Sequence, residues 1–247
     1  MTEENPKEWA DKTAQYLRHC QETTFIDHIR GIGYSLIQQH DEDEVRQVLA
    51  ESFVYGNEIV KHRGITVEEY KEAAVTEYQM ALEDQLGFVA RDIQSNQVVG
   101  VALAYTYASV IKYIQNKDVV AESSEAMAPI MDIMQQLYAK LLKVESFDPD
   151  QAVIFEDTAR VRDERFAGKG IGYACFKILY AHIYRQGYSI LLGISFNPYT
   201  QTWASLHSFK KVCCIHLSEY TYRDQKVFSS LAEKGFDSLC LYLKRGQ

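Results

Sequence analysis

The segment Phe166-Ala167-Gly168-Lys169-Gly170-Ile171-Gly172 constrains the fold of this chain more than any other. Its glycines stand between a run that alternates as a strand, residues 152–161, and a run with helical apolar spacing, residues 170–186. Glycine permits tight backbone turns and leaves amide N–H groups uncovered. At a helix N-terminus, with the helix dipole behind them, such N–H groups form an anion site suited to a pyrophosphate. In the helix that follows, Phe176, Leu179, Tyr180 and Ile183 share one face and Ile171, Cys175 and Ile178 an adjacent one, so packing can hold the turn rigid. The dinucleotide fingerprint fails because the register from Gly168 needs glycine where Tyr173 stands. The P-loop fails too, since no Gly-Lys-Ser/Thr follows at the required spacing. The plain alternative is a strand-to-helix turn that binds nothing.

Around this turn the 247 residues read as one domain, with only four prolines and no Pro/Gly/Ser linker, repeat or low-complexity run. Residues 6–20 predict an N-terminal helix, so 1–32 reads as a helical extension to a domain at 33–247. Strands are expected at 33–38, 87–92, 98–107, 152–161, 188–195, 213–222 and 239–243. Helices are expected from about residue 40, and over 66–84, 124–144, 170–186 and 200–211. The Met-rich stripe of Met127, Ile130, Met131, Met134, Leu137, Tyr138 and Leu141 reads as core rather than as a cofactor box. Strands interleaved with helices imply an α/β (α+β) sheet of mixed direction.

Charge and composition exclude several functions. A net charge of −8 argues against nucleic-acid binding, which needs a basic face. No apolar run approaches the roughly 20 residues of a membrane span, and the acidic N-terminus is no signal peptide. The five cysteines form no CxxC pair and are expected to be reduced thiols in a cytoplasmic protein. The seven histidines show no metal-ligand spacing, so no metal is expected.

The glycine turn resembles the pyrophosphate loop of the GNAT acetyltransferase superfamily, whose pattern is Gln/Arg-x-x-Gly-x-Gly/Ala. Arg165 to Gly170 fits literally. In the preferred register Gly170 and Gly172 are the pattern glycines and Ala167 replaces the Arg/Gln, with Arg165 a substitute. His40-Asp41-Glu42-Asp43 before a helix ending Ala50-Glu51-Ser52-Phe53 is similar to the superfamily's first strand and helix. Asn197-Pro198-Tyr199-Thr200 and the helix ending His207-Ser208-Phe209 are similar to its later CoA-side motif, with Ser208 in place of the usual glycine. The order of elements over residues 33–245 most resembles the insect-type arylalkylamine N-acetyltransferases.

That resemblance implies a mixed, mostly antiparallel sheet of about seven strands flanked by helices and splayed between the fourth and fifth. Acetyl-CoA would be the co-substrate. Ala159, Arg160 and Val161 would pair with pantetheine, Ala167, Gly168, Lys169, Gly170, Ile171 and Gly172 would hold pyrophosphate, and Asn197 would stand in the CoA-side motif. Lys169, Lys210 or Lys211 would reach the adenosine phosphates. Phe53-Val54-Tyr55-Gly56-Asn57-Glu58-Ile59 is similar to the segment carrying the relatives' base, which assigns that role to Glu58, with Glu51 the fallback. The tyrosine many relatives use as acid falls on Ala204, leaving Ser195, Tyr199 and Thr200 as candidates to protonate the thiolate. A backbone N–H near Ile194 or Ser195 would hold the oxyanion. Phe53, Tyr55, Tyr105 and Tyr107 would line an aromatic-amine pocket.

The function expected is direct acetyl transfer in a ternary complex to a small-molecule amine, an arylalkylamine, by a monomer or weak dimer. The rivals are a related transferase for polyamines or other small amines, and an inactive acyl-CoA-binding module.

Overall fold

The computed structural model describes residues 5–116, 123–195 and 197–246, with the side chains of 114–116, 156 and 157 excepted. Among the described residues eight strands form one sheet: β1 (Thr24–Asp27), β2 (Ile32–Leu36), β3 (Gly87–Asp92), β4 (Val98–Thr106), β5 (Ala152–Arg160), β6 (Ile190–Ser195), β7 (Lys210–His216) and β8 (Ser238–Arg245). Their spatial order is β1-β2-β3-β4-β5-β6-β8-β7. Every pairing is antiparallel except β5 with β6. One strand beyond the seven expected is β1, an edge strand inside the stretch read as a helical extension. The four-residue run Thr24-Phe25-Ile26-Asp27 is too short for its alternation to register.

Nine helices are described: α1 (Pro6–Leu17), α2 (Glu42–Gly56), α3 (Glu58–His62), α4 (Val67–Glu83), α5 (Tyr107–Asn116), α6 (Ala128–Val144), α7 (Ile171–Arg185), α8 (Pro198–Leu206) and α9 (Ser229–Ala232). Capping explains several starts. Thr66 and Glu69 form a reciprocal capping box at α4, and Asn57 and Asn197 accept backbone N–H bonds at α3 and α8. Residues 98–105 of β4 are all buried, which requires cover on both faces of the sheet. Two helix pairs supply it, α1 with α7 and α2 with α4. Gly100 lets α7 settle close, since a Cβ there would lie 2.5 Å from Ile171 Cγ2.

Two expectations are corrected at the C-terminal end. The helix expected over 200–211 stops at Leu206, because Ser208 takes a left-handed φ of 63°. The Ser208 N–H reaches Ser205 O and the Phe209 N–H reaches Ala204 O, a Schellman ending. Lys210 and Lys211 therefore stand in β7, and Lys210 Nζ pairs with Glu145 Oε2 at 2.7 Å. The cysteines are not all free thiols either. Cys214 and Cys240 lie directly opposite on β7 and β8, with Cα atoms 4.1 Å apart, and form a disulfide. Their 26-residue separation gave no sign of this neighbourhood, since cross-strand register is invisible in Cys spacing.

Candidate active site

The strands β5 and β6 pair for only three residues, Ala152 with Ile190, Val153 with Leu191 and Ile154 with Leu192. Beyond that point they separate. From Phe155 to Arg160 β5 pairs with β4 alone, while Gly193 to Ser195 pair with β8 alone. The β4–β5 register shifts between Leu103 and Ala104, which leaves residue 156 as a one-residue bulge where the separation begins. The splay thus falls between the two strands expected, now the fifth and sixth because β1 precedes them.

The gap opens into a cleft of about 370 Å³. Phe155 and Thr158 of β5 form one wall, Gly193, Ile194 and Ser195 of β6 the other. Gly172, Tyr173 and Phe176 of α7 and Tyr199, Thr200, Trp203 and Ala204 of α8 complete the lining, the Phe176 and Trp203 rings meeting edge-on at 4.8 Å. Because the Val161 N–H bonds Val99 O on β4, strand alternation turns the N–H groups of Arg160 and Thr158 toward the open edge. The side chains of Ala159 and Val161 are buried. Of the three residues expected along this edge, Arg160 presents backbone to the gap, and Thr158, not anticipated, joins it.

The glycine turn stands at the mouth. Gly168 and Gly170 both take left-handed φ, 73° and 68°, and Gly170 is the N-cap of α7. No side chain caps that helix start. The first-turn N–H groups of Ile171 and Gly172 have no partners inside their own helix. From outside, α1 braces the turn. Pro6 Cβ lies 2.6 Å from where a Gly170 Cβ would be, Tyr173 OH donates to Asp11 Oδ1 at 3.2 Å, and Lys177 pairs with Asp11 at 2.8 Å. Arg165, the substitute for the missing Arg/Gln, is turned to Asp163 instead, with its Nη2 at 2.6 Å from Oδ2. Ala167 is exposed and the Lys169 ammonium sits over the Phe166 ring at 5.0 Å.

Two hydroxyls converge where β6 gives way to α8. Ser195 is only 6% exposed, and its Oγ lies 2.6 Å from Thr200 Oγ1. The Asn197 carbonyl lies 3.2 Å from Ser195 Oγ and 3.1 Å from Thr200 Oγ1, and Asn197 Oδ1 accepts the Thr200 N–H at 2.9 Å. Either hydroxyl can therefore donate to the carbonyl while the other is left to serve the cleft. Tyr199 lines the same cleft but is 79% exposed. Tyr242 of β8, which sequence reading missed, packs beside Ala204. Burial holds its phenol above the ordinary range.

Glu58 does not join this group. It sits in the first turn of α3, paired with Lys61 at 2.7 Å, and its side chain is 41% exposed. Asn57, one residue earlier, lines the cleft instead. Glu51 accepts a bond from Gln47 Nε2 at 2.8 Å and is absent from the cleft wall. Of the aromatic candidates, Phe53 lines the cleft and Tyr105 a compartment behind it, whereas Tyr55 faces solvent and Tyr107 is buried against Phe147. Among the described residues no group of three or more His, Cys, Asp or Glu is placed to hold a metal. Nor is any described helix long and apolar enough to cross a membrane.

Solved structures share this architecture. The C-terminal condensation domain of Ebony, in complex with β-alanyl-dopamine, superposes with a TM-score of 0.69 at 14% identity, over 87% of this chain and 98% of that one. Arylalkylamine N-acetyltransferase 2 from Aedes aegypti matches at 0.65 and 16% identity, over 87% and 99%. The Drosophila melanogaster polyamine N-acetyltransferase, an enzyme that catalyses the formation of N-acetylagmatine, matches at 0.62 and 9% identity, again over 87% and 99%. The chain has the GNAT acetyltransferase fold. No family model matches it, and no curated protein does.

Proposed function

We propose that the chain is an acetyl-CoA-dependent N-acetyltransferase acting on a primary amine. The observation that carries this reading is the parting of β5 from β6 after Ile154 and Leu192, with Gly172 at the start of α7 and the Ser195–Thr200 hydroxyl pair lining the same cleft. An extended pantetheine arm fits such a gap by adding to the free edge of β5 at Thr158 and Arg160. The N–H groups of Ile171 and Gly172 at the start of α7 would receive pyrophosphate oxygens.

The reaction is direct transfer. The neutral amine attacks the thioester carbonyl, an N–C bond forms, the C–S bond breaks, and the sulfur leaves as a thiolate. The Ser195–Thr200 pair is the proton donor for that sulfur, and the proton shed by the nitrogen restores the hydroxyl. Cys175 takes no part, because it is fully buried in α7 and burial holds its thiol well above the ordinary range.

The structural relatives act on arylalkylamines or form N-acetylagmatine, and the sequence resemblance favours the former class. Release of free CoA from acetyl-CoA is the test, with tyramine, dopamine, serotonin, octopamine, spermidine, agmatine and glucosamine as acceptors. Amine-dependent release that is lost in Gly170→Glu supports the reading. Binding of acetyl-CoA with no release for any amine replaces it with an acyl-CoA-binding module.

A further inference from the structure

Strand β8 runs between β6, which carries Ser195, and the edge strand β7. Cys240 lies opposite Ser195 on one side and opposite Cys214 on the other, where the disulfide ties β8 to β7. The bridge packs in one cluster with Ala204 and Tyr242, against Trp203 and Phe209. Those four side chains all line the cleft, so the sulfurs back its α8 wall.

The segment that the bridge closes also holds the opposite wall. Tyr220 donates to Pro129 O at 3.1 Å near the start of α6, and Val227 O lies 2.9 Å from His62 Nε2 at the end of α3. Helix α3 begins at the Asn57 cap, and Asn57 lines the cleft beside Phe53. One covalent bond thus fastens both the α8 wall and the loop that holds α3 and α6.

The bridge is also reachable. Cys214 on the edge strand is half-buried, whereas Cys240 is fully buried. A disulfide open to solvent at one sulfur is of the labile kind. Cys20, Cys175 and Cys213 remain free thiols, so the chain is no disulfide scaffold. Cys213 does not compete for the bridge, because it points to the other face of β7, where its thiol lies 3.7 Å from Leu137 O.

We infer that the Cys214–Cys240 bridge is a redox switch on the transfer site, active when oxidised and impaired when a dithiol reduces it; this rests on the amine-transfer reading above. A thiolate of the dithiol attacks Cys214 Sγ, the S–S bond breaks, and Cys240 departs and takes up a proton. The second thiol of the reagent then attacks the mixed disulfide, releases Cys214 as a thiol and leaves the reagent as a cyclic disulfide. The protein gains two electrons and two protons, and the dithiol loses them. Reduction frees β7 from β8 opposite Ser195 and loosens the 214–240 segment against α3 and α6, so the cleft walls lose their spacing.

Acetyl transfer to the best acceptor of the panel, followed by mass spectrometry, is expected to fall about tenfold or more after reduction with dithiothreitol, the scale on which misplaced groups lower rates. It should return on reoxidation with oxidised glutathione, with the far-ultraviolet circular dichroism unchanged throughout. Alkylation followed by intact mass shows that reduction is complete, the thiols rising from the three free ones to all five cysteines. Cys214→Ser should start at the low rate and ignore dithiothreitol, while Cys213→Ser should respond as the wild type does. Calorimetric titration of acetyl-CoA gives a readout independent of turnover, with a Kd about tenfold weaker in the reduced protein. An affinity that follows the bridge, with no acetylation of any amine in either state, sinks the transferase reading and keeps the switch. Unchanged rate and affinity after complete reduction, a dithiothreitol response that persists in Cys214→Ser, or unfolding on reduction overturns it.

Discussion

Ser195 Oγ and Thr200 Oγ1 lie 2.6 Å apart across the junction of β6 and α8, joined to one carbonyl, that of Asn197. Two hydroxyls sharing an acceptor act as a unit, because removing either changes what the other can donate to. Thr200→Val and Ser195→Ala are each expected to lower kcat by about 10²-fold, with the KM for acetyl-CoA little changed. The double variant should be no more than about threefold worse than either alone. Steady-state kinetics on the three proteins checks this.

Asn57 and Glu58 are neighbours with opposite surroundings, one on the cleft wall and one in solvent. Glu58→Ala breaks only an exposed i,i+3 pair with Lys61, worth about 0–1 kcal/mol, and should leave kcat/KM within about twofold of wild type. Asn57→Ala removes the N-cap of α3, at a cost of about 1 kcal/mol, and disturbs the inner wall. Its kcat/KM should fall by at least about tenfold, because misplacement of a positioning group costs this much or more. Parallel rate and melting measurements on the two variants separate the outcomes.

Ser208 occupies the position after α8 where a Schellman ending favours glycine. A left-handed φ of 63° costs a non-glycine residue about 1–2 kcal/mol. Ser208→Gly relieves that strain and loosens the unfolded chain, so the net expectation is a gain of about 0.5–1 kcal/mol. The urea midpoint should rise, and activity should not fall.

His182 is 1% exposed on α7, donates from Nε2 to Gln85 O at 3.0 Å and accepts from Arg185 Nη2 at Nδ1, 2.8 Å away. Burial, aided by the Arg185 charge, pushes its pKa down to about 4. The unfolded chain therefore binds the extra proton first, and stability is lost as pH falls from about 6.5 toward 4, by up to about 3 kcal/mol. Above about pH 6.5 this group contributes no pH dependence. His182→Gln should flatten that acid limb in urea titrations at pH 7 and pH 4.5.

Much of this was legible in the sequence, for identifiable reasons. The glycine turn, the two strands that part and the helix α7 carry strong local signals, and each stands where spacing put it within a few residues. The register of single residues was not legible. Whether Asn57 or Glu58 faces the cleft depends on where α2 ends and α3 begins, which hinges on the Asn57 cap, whose Oδ1 accepts the Ile59 and Val60 N–H groups. The brace of α1 on the glycine turn joins Pro6 to Gly170, too far apart in sequence for any local pattern to link.

The central claim is that an acyl group passes from a thioester held between β5 and β6 to an amine arriving past Asn57. Mixing protein, acetyl-CoA labelled in the acetyl group, and an amine, then following the label by mass spectrometry, tests it most directly. Label is expected in an N-acetylated amine, at a rate set by amine concentration and abolished by Gly170→Glu, with none fixed covalently on the protein. Label that stays on CoA for every amine offered, or that accumulates on a cysteine, would contradict it.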